Sequence, residues 1–207
     1  MKEKESLTGY MAAVVLQLER EERMGTAHVY RSTLRCVLSF TGGAPLDFKS
    51  LTPLWLQAFQ NYLLGRRLHW NTVSTYMRML RAVYFRAVDA GLAPFRARLF
   101  KCVYTGTRVT VKRALTERVL RKLNVPNNLD RSRLENSRML FLLLFMLRGI
   151  PFVDVAYLRK SDLRGNVLHY RRRKTGAWLS VKVEPRAMRL IERLKNTDDR
   201  SPYLFPY

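Results

Sequence analysis

The sequence predicts a mainly α-helical protein with a small antiparallel β-hairpin, divided into an N-terminal four-helix domain and a partial α+β domain. Four segments before residue 94 repeat apolar residues every three to four positions, as amphipathic helices do. This pattern is lost from 95 to 113, and after Asp162 apolar residues alternate with a period of two, as in strands. We therefore expect domains at 1–94 and 114–207, joined by a basic linker at 95–113.

The first three helices are indicated by apolar spacing and by residues that begin or end helices. We expect helices at 7–22 and 26–40. A third helix begins with Thr52 as its N-cap and Pro53 at its first position, and Gly65 ends it. Its expected apolar face consists of Trp55, Ala58, Phe59, Tyr62 and Leu63.

The fourth helix has the clearest pattern. It follows Asn71, and Gly91 and Pro94 close the domain. Arg78 and Arg81 fall outside its apolar stripe, which predicts that they face solvent or a ligand. The stripe consists of Val73, Tyr76, Met77, Leu80, Val83, Tyr84, Ala87 and Val88.

The second domain is predicted to begin with a short helix capped by Thr116 and ending at Leu123. A long helix at 133–147 becomes apolar on all sides, so we expect it to be the buried centre of the domain. The remaining elements are expected as strands at 167–174 and 178–183, with a turn at Thr175–Gly176, and as a helix at 186–195.

The charge of the chain favours a polyanionic partner. The chain has 38 Lys and Arg against 16 Asp and Glu, a net charge of +22. Such a surface repels itself unless a polyanion or counterions share it. Residues 1–100 carry 14 basic and 7 acidic groups, whereas 101–207 carry 24 and 9. We therefore expect nucleic acid as the partner, bound more strongly by the second half.

Membrane, metal and secreted classes are disfavoured. The longest apolar run, Met139 to Leu147, is far shorter than the ~20 residues that span a bilayer, and the charged start MKEKES does not match a signal peptide. Cys36 and Cys102 lie too far apart to chelate a metal as a pair, and three histidines offer no metal-ligand spacing. We expect a cytoplasmic protein with reduced thiols, no cofactor and no metal.

Arg148, which follows the most apolar helix, is the first candidate site residue. An arginine there is unfavourable unless something compensates its charge. Asp154 and a bound phosphate are the candidates, and a guanidinium suits phosphate because it stays charged and presents a fixed fork of donors. The alternative is a simple Arg148–Asp154 ion pair.

Lys174 is the second candidate, at the tip of the basic hairpin Tyr170–Gly176. An ammonium group there can donate a proton to a departing oxygen. The alternative is a solvated basic strand that only contacts the DNA backbone. The residues predicted to bind DNA are Arg78, Arg81, Arg108, Lys112, Arg171, Arg172 and Arg173.

The order of these segments resembles the tyrosine recombinase (phage integrase) family. The first half of its catalytic domain resembles three segments of this chain: LFMLRGIPFVDVAYLRKSDL, LHYRRRKTG and SPYLFP. The four preceding helices resemble its SAM-like core-binding domain. The first motif of the family is an arginine that ends an apolar helix, followed by an acidic residue and a Leu-x-x-x-Asp stretch. This chain matches it with Arg148, Asp154, Leu158 and Asp162. A hairpin lysine is matched by Lys174. The likeness covers nearly all 207 residues and is greatest to integrases of mobile elements.

The resemblance implies metal-free phosphoryl transfer. A tyrosine attacks a DNA phosphodiester, while two arginines and histidines stabilise the charge of the transition state. It implies that Arg148 is the first of these arginines, that Lys174 protonates the leaving 5′ oxygen, and that Asp154 supports them.

The later elements of the family, a His-x-x-Arg helix and the nucleophilic tyrosine, have no counterpart in this sequence. We therefore interpret the chain as truncated before them and unable to cleave DNA alone. Tyr207 has no helix to hold it, so we do not expect it to be the nucleophile. His28, His69 and His169 precede the position of the His-x-x-Arg box, so surface or packing roles are expected for these histidines.

Two other interpretations stay open. The chain is alternatively a non-catalytic DNA-binding module that regulates or competes for recombination sites, or, with less support, an RNA-binding protein of ribosomal type. The expected partners are double-stranded DNA and, if the C-terminal half completes the protein, further copies of it on DNA.

Overall fold

The computed structural model describes residues 6–111, 114–125 and 132–207. The chain forms two compact units, Met1–Val111 and Lys112–Tyr207, and each packs around its own apolar core. Helices make up most of the regular structure, and the strands form one small antiparallel sheet. The predicted fold class is therefore confirmed.

Among its described residues, the first unit contains four α-helices that begin and end within two residues of the predicted bounds. They are α1 Leu7–Arg20, α2 Met24–Phe40, α3 Pro53–Gly65 and α4 Trp70–Asp89. The predicted stripe of α4 supplies much of the core, with Val73, Met77, Leu80 and Val83 fully buried. The period of 3.6 residues is sufficient to locate these helices because every one of them buries one face.

The start of α3 shows how local chemistry begins a helix. The Thr52 hydroxyl accepts a hydrogen bond from the backbone N–H of Trp55 at 3.1 Å, and Pro53 follows the cap. Phe59 is buried as predicted. Ala58, which was expected on the buried face, is exposed instead, because the inward face of α3 is formed by Leu56, Phe59 and Leu63 and Ala58 lies about 200° around the helix from Leu56.

Part of the predicted linker packs into the first unit. Leu99, Phe100 and Val103 are buried in its core. The Asn71 side chain also donates to the carbonyl of Arg108 at 2.9 Å and accepts from its backbone N–H at 2.8 Å. The compact unit consequently reaches residue 111, because apolar residues in this irregular segment pack against α4 without a periodic signal.

The second unit contains four further helices among its described residues. They are α5 Glu117–Leu123, α6 Ser132–Met146, α7 Phe152–Ala156 and α8 Pro185–Leu194. Thr116 occupies the N-cap position of α5, although its side chain makes no capping hydrogen bond. The short helix α7 has no counterpart in the sequence prediction. No helix in the described part of the chain has the length and apolarity required to cross a bilayer.

Helix α6 is buried on one face only, which corrects the expectation that it is surrounded by the domain. Leu143 and Leu147 are 0% and 2% exposed, whereas Phe141 and Phe145 are 38% and 57% exposed. The buried face packs against α8 and the sheet. Apolar composition alone could not distinguish a central helix from one with an uncovered apolar face.

The sheet consists of β1 Leu163–Arg164, β2 Val167–Arg171 and β3 Trp178–Lys182, antiparallel and in that order. The first predicted strand is shorter than expected, because a tight turn begins directly after Arg171. In this turn the backbone N–H of Arg172 donates to the carbonyl of Ala177 at 2.8 Å, and the backbone N–H of Gly176 donates to the carbonyl of Arg172 at 2.7 Å.

The last seven residues pack on the second unit. The backbone N–H of Leu204 donates to the carbonyl of Leu158 at 2.7 Å, and that of Lys160 donates to Pro202 at 2.9 Å. Leu204 and Phe205 are buried in the core. The segment that follows α8 thus fixes the turn after α7.

Candidate nucleic-acid interface

Arg148 is the second residue after the end of α6, and its side chain is exposed. Its backbone is in the left-handed region, with φ of 61°, and Gly149 follows with φ of 74°. The N–H of Gly149 donates to the carbonyl of Leu144 at 2.9 Å, a bond that closes the end of the helix. The turn therefore brings the guanidinium out of the apolar helix into solvent, where it is accessible to a ligand.

Asp154 pairs with the hairpin and not with Arg148. Its side chain is 3% exposed, and its Oδ1 accepts a hydrogen bond from the backbone N–H of Arg173 at 3.0 Å. Arg148 and Asp154 form no ion pair or hydrogen bond in the structure. The simple ion pair that sequence reasoning kept as an alternative is thus absent.

Two buried polar atoms lie at the base of the hairpin without a hydrogen-bond partner among the described residues: Asp154 Oδ2 and Arg172 Nε. Burial raises the pKa of Tyr170, the Asp154 carboxylate raises it further, and Arg172 lowers it. The three side chains are therefore close enough to interact electrostatically. Asp154 and Arg172 nevertheless form no ion pair with each other, so the contact that holds the turn is the hydrogen bond between Asp154 Oδ1 and the backbone N–H of Arg173.

Lys174 occupies the centre of the turn at Arg173–Thr175, and its side chain is exposed. It makes no hydrogen bond or ion pair with another described residue. The hydrogen bond from Arg173 to Asp154 anchors the residue directly before it to α7. Lys174 is thus a free ammonium group on an anchored backbone, which suits a group that must meet a ligand at a defined position.

The neighbouring arginines of the hairpin are held by local contacts. Arg171 Nε donates to the carbonyl of Gly176 at 2.9 Å. The guanidinium of Arg173 lies 3.8 Å from the centroid of the Tyr157 ring. These contacts fix both side chains along the hairpin, so they are less free than their position in a basic run suggests.

The predicted DNA-binding residues of the first unit fall into two places. Arg78 and Arg81 are exposed on α4, and Arg78 donates to Thr75 Oγ1 at 3.3 Å. The Arg108 guanidinium stacks on Trp70, 4.1 Å from the ring centroid, and it approaches Tyr104 at 5.6 Å. Lys112 lies outside the described residues.

The three histidines show no catalytic grouping. His169 on β2 lies 2.7 Å from the Ser180 hydroxyl, across the strand pair. His28 lies on α2, and His69 precedes α4. Within the described ranges, no three His, Cys, Asp or Glu side chains are grouped closely enough to hold a metal ion.

Sequence reasoning missed one grouping of cations. Arg98 and Lys101, which it placed in the linker without a site, line a pocket together with Arg81. The signal is invisible in the sequence, because the pocket requires the segment after α4 to turn back along that helix.

Comparisons with known proteins agree with the fold. The family model described as phage integrase SAM-like domain matches residues 6–97. No curated protein sequence matches the chain. An integrase of the transposon Tn1549, in complex with a circular intermediate DNA, superimposes with a TM-score of 0.67 at 15% identity, over 97% of this chain and 71% of that one.

Two lambda integrase structures are also similar. A tetramer bound to a Holliday junction gives a TM-score of 0.68 at 13% identity, over 91% of this chain and 56% of that one. Lambda integrase residues 75–356 bound to DNA give 0.66 at 14% identity, over 97% and 70%. Residues 6–97 therefore resemble the phage integrase SAM-like domain, and the chain as a whole has the fold of these integrase structures.

Proposed function

We propose that residues 1–207 bind double-stranded DNA and hold one backbone phosphate with Arg148 and Lys174, as part of a site-specific tyrosine recombinase that acts in DNA integration and recombination. The observation that carries the proposal is the hydrogen bond from Arg173 to Asp154. It ties the turn that bears Lys174 to a helix that begins four residues after Arg148. Both cations are exposed, and the chain carries a net charge of +22.

In the proposed reaction, a tyrosine hydroxyl attacks the phosphorus of a DNA phosphodiester. A phosphotyrosyl bond forms, the bond to the 5′ oxygen breaks, and that oxygen leaves with a proton from the Lys174 ammonium. The Arg148 guanidinium neutralises charge on the non-bridging oxygens as the transition state forms. No metal takes part in this scheme.

Residues 1–207 supply only part of this chemistry. In the family, the His-x-x-Arg box and the nucleophilic tyrosine come after the segment that Ser201–Pro206 resembles, and these residues contain no such box there. The His-x-x-Arg spacing of His28–Arg31 and His169–Arg172 occurs earlier in the chain. We therefore propose that these residues alone bind DNA without cleaving it, and that a C-terminal half completes the catalytic domain. Completed copies are proposed to associate on DNA, a proposal that the tetrameric state of a similar integrase supports.

A covalent-trapping experiment tests the proposal. The chain is incubated with attachment-site DNA of its own element that carries a suicide nick, and adducts are sought on a denaturing gel. We expect none from residues 1–207 alone, and an adduct when the C-terminal half is supplied in trans. Arg148→Ala should abolish the adduct, whereas Arg164→Ala, which removes an exposed arginine of the same unit, should preserve it. An adduct formed by residues 1–207 alone would contradict the claim of inactivity.

The second candidate is a DNA-binding module that regulates or competes for recombination sites. Phosphate contact alone would also account for two exposed cations in a chain with a net charge of +22. Under this function Arg148 and Lys174 only contact phosphates. Binding that persists while cleavage never appears in trans would favour the module.

Binding itself has a measurable signature. The logarithm of the DNA affinity should fall linearly with the logarithm of the salt concentration, with a slope of about −0.9 for each phosphate neutralised. Fluorescence anisotropy with a labelled duplex measures this slope. An affinity that does not change with salt would contradict the proposed backbone contacts.

A further inference from the structure

A pocket of about 280 Å³ lies on the first unit beside α4 and the segment that follows it. Arg81, Arg98 and Lys101 line it together with Phe85 and Phe100. None of its lining residues is acidic. Three positive charges thus surround one opening, which creates a local potential that attracts an anion.

These cations have no partner within the described part of the chain. The side chains of Arg81, Arg98 and Lys101 are exposed and make no hydrogen bond or ion pair with another described residue. Arg23 of the same unit, by contrast, pairs with Glu21 at 3.4 Å. The pocket therefore leaves its donors available for a ligand.

The backbone at Arg98 is fixed in an uncommon conformation. Its φ is 60°, in the left-handed region, which is unfavourable for a residue with a Cβ. Burial of Leu99 and Phe100 directly after it, and a hydrogen bond from the Lys101 N–H to the Arg98 carbonyl at 2.9 Å, hold this turn. Arg98 and Lys101 are thus presented at the pocket by a built turn and not by a flexible tail.

The pocket is apolar as well as basic. Phe100 is buried, Phe85 is half-buried, and Leu99 and Val103 complete the apolar lining. A bare phosphate ion would leave this wall unused, whereas the sugar and base of a nucleotide can pack against an aromatic ring while the phosphate meets the cations. Its volume is close to the lower end of the usual range for small-molecule sites, about 300 Å³.

We propose that this pocket binds a nucleotide unit, with its phosphate held by Arg98, Lys101 and Arg81 and its organic part against Phe85. The same chemistry is offered by a phosphate and nucleoside within a DNA strand and by a free nucleotide. The strand source rests on the DNA binding proposed above, whereas the free nucleotide does not.

The test compares a pocket variant with a charge-matched control. Arg98→Asn with Lys101→Gln removes two pocket charges, and asparagine tolerates the left-handed backbone at position 98. Arg20→Gln with Lys49→Gln removes two exposed charges elsewhere in the same unit. Thermal unfolding and circular dichroism establish that both variants fold like the parent chain.

Each protein is titrated calorimetrically with thymidine 5′-monophosphate, thymidine and inorganic phosphate, and by anisotropy with a duplex of about 30 base pairs, long enough to offer many backbone contacts. In the pocket variant, we expect the nucleotide affinity to fall at least about tenfold, since charged hydrogen bonds are lost. We also expect the salt slope for the duplex to become shallower by about 0.9 per lost phosphate contact. The control should change neither.

The outcomes separate the sources. If the pocket variant, and not the control, loses affinity for the duplex alone, the inference is supported and the phosphate belongs to a DNA strand. If it loses affinity for the mononucleotide alone, the inference is supported and the ligand is a free nucleotide. If the pocket and control variants behave alike with both probes, the inference is overturned while the proposed DNA binding stands. If the parent chain fails to bind any duplex, the proposed function fails, and the mononucleotide titration still decides the pocket.

A third variant, Phe85→Leu, tests the organic part of the ligand. It should weaken the binding of thymidine 5′-monophosphate several-fold and leave the binding of inorganic phosphate unchanged, because a base stacks on an aromatic ring and inorganic phosphate has no base. Equal binding of the nucleotide by the parent and Phe85→Leu chains would overturn the nucleotide assignment.

Discussion

The Asp154 carboxylate accepts a hydrogen bond from the backbone N–H of Arg173 across 3.0 Å, with the side chain of Asp154 almost completely buried. This bond joins α7 to the turn of the β2–β3 hairpin. The turn carries Lys174, and α7 follows Arg148 closely in the chain. One buried carboxylate therefore connects the two segments on which the proposed phosphate site depends.

Loss of this bond should loosen the turn. Asp154→Ala leaves the Arg173 N–H without its partner, and we expect a destabilisation of about 1–3 kcal/mol. Hydrogen exchange should become faster at the amides of Arg173 and Gly176. Asp199→Ala, which removes an exposed carboxylate of the same unit, serves as the control. Unchanged exchange in the hairpin of Asp154→Ala would show that other contacts hold the turn.

Arg148→Gly should separate binding from stability. Glycine adopts the left-handed conformation of residue 148 without a steric penalty, so the free energy of unfolding should stay within about 1 kcal/mol of the parent value. DNA affinity should fall, because a phosphate contact is lost. Arg67→Gly is the matched control, since Arg67 is also exposed and has a φ of 60°. Equal DNA affinity of the two variants would argue against a special role of Arg148.

The one-sided burial of α6 predicts contrasting effects of two truncations. Leu143→Ala opens a cavity in the core and should destabilise the second unit by about 2–5 kcal/mol. Phe145→Ala removes a larger side chain that is 57% exposed, and should destabilise by less than about 1 kcal/mol. Urea unfolding followed by circular dichroism measures both. A larger effect of Phe145→Ala would mean that this face is covered.

The raised pKa of Tyr170 predicts that the free energy of unfolding decreases in alkaline solution. Burial, and then the nearby Asp154 carboxylate, raise the pKa of Tyr170 above its ordinary value of 10.0. A raised folded-state pKa means that the folded form retains the proton more strongly. The contribution of the protonated Tyr170 to the free energy of unfolding is therefore fully present below the unfolded-state pKa. It is lost as the pH rises through the folded-state pKa.

Tyr170→Phe removes this titration. Between about pH 8 and about pH 11, the variant should lose less of its free energy of unfolding than the parent chain. Tyr10→Phe, in the first unit, is the control for the loss of a phenol. Chemical denaturation at the two pH values gives the comparison, and equal losses in the parent and Tyr170→Phe chains would contradict the prediction.

The sequence was informative wherever a signal is local. Thr52 and Pro53 begin α3 as predicted, and the stripe of α4 is buried as its period requires. The alternation after Asp162 located the two main strands, although the first ends at Arg171 because the turn hydrogen bonds begin there. For the site, Arg148, Asp154 and Lys174 were singled out as residues, and Asp154 was expected to pair with Arg148 or to support the site, but its hydrogen bond with the hairpin backbone was not predicted.

By itself, the sequence determined all the longer helices, the two main strands, the basic charge and the candidate cations, because caps, periodicity and composition depend on residues close together in the chain. Only the tertiary structure decided that Leu99 and Phe100 belong to the first core, that Phe145 remains exposed and that Asp154 binds the hairpin turn. Each of these depends on contacts between segments far apart in sequence, and no local pattern records which distant backbone group or apolar surface a side chain meets.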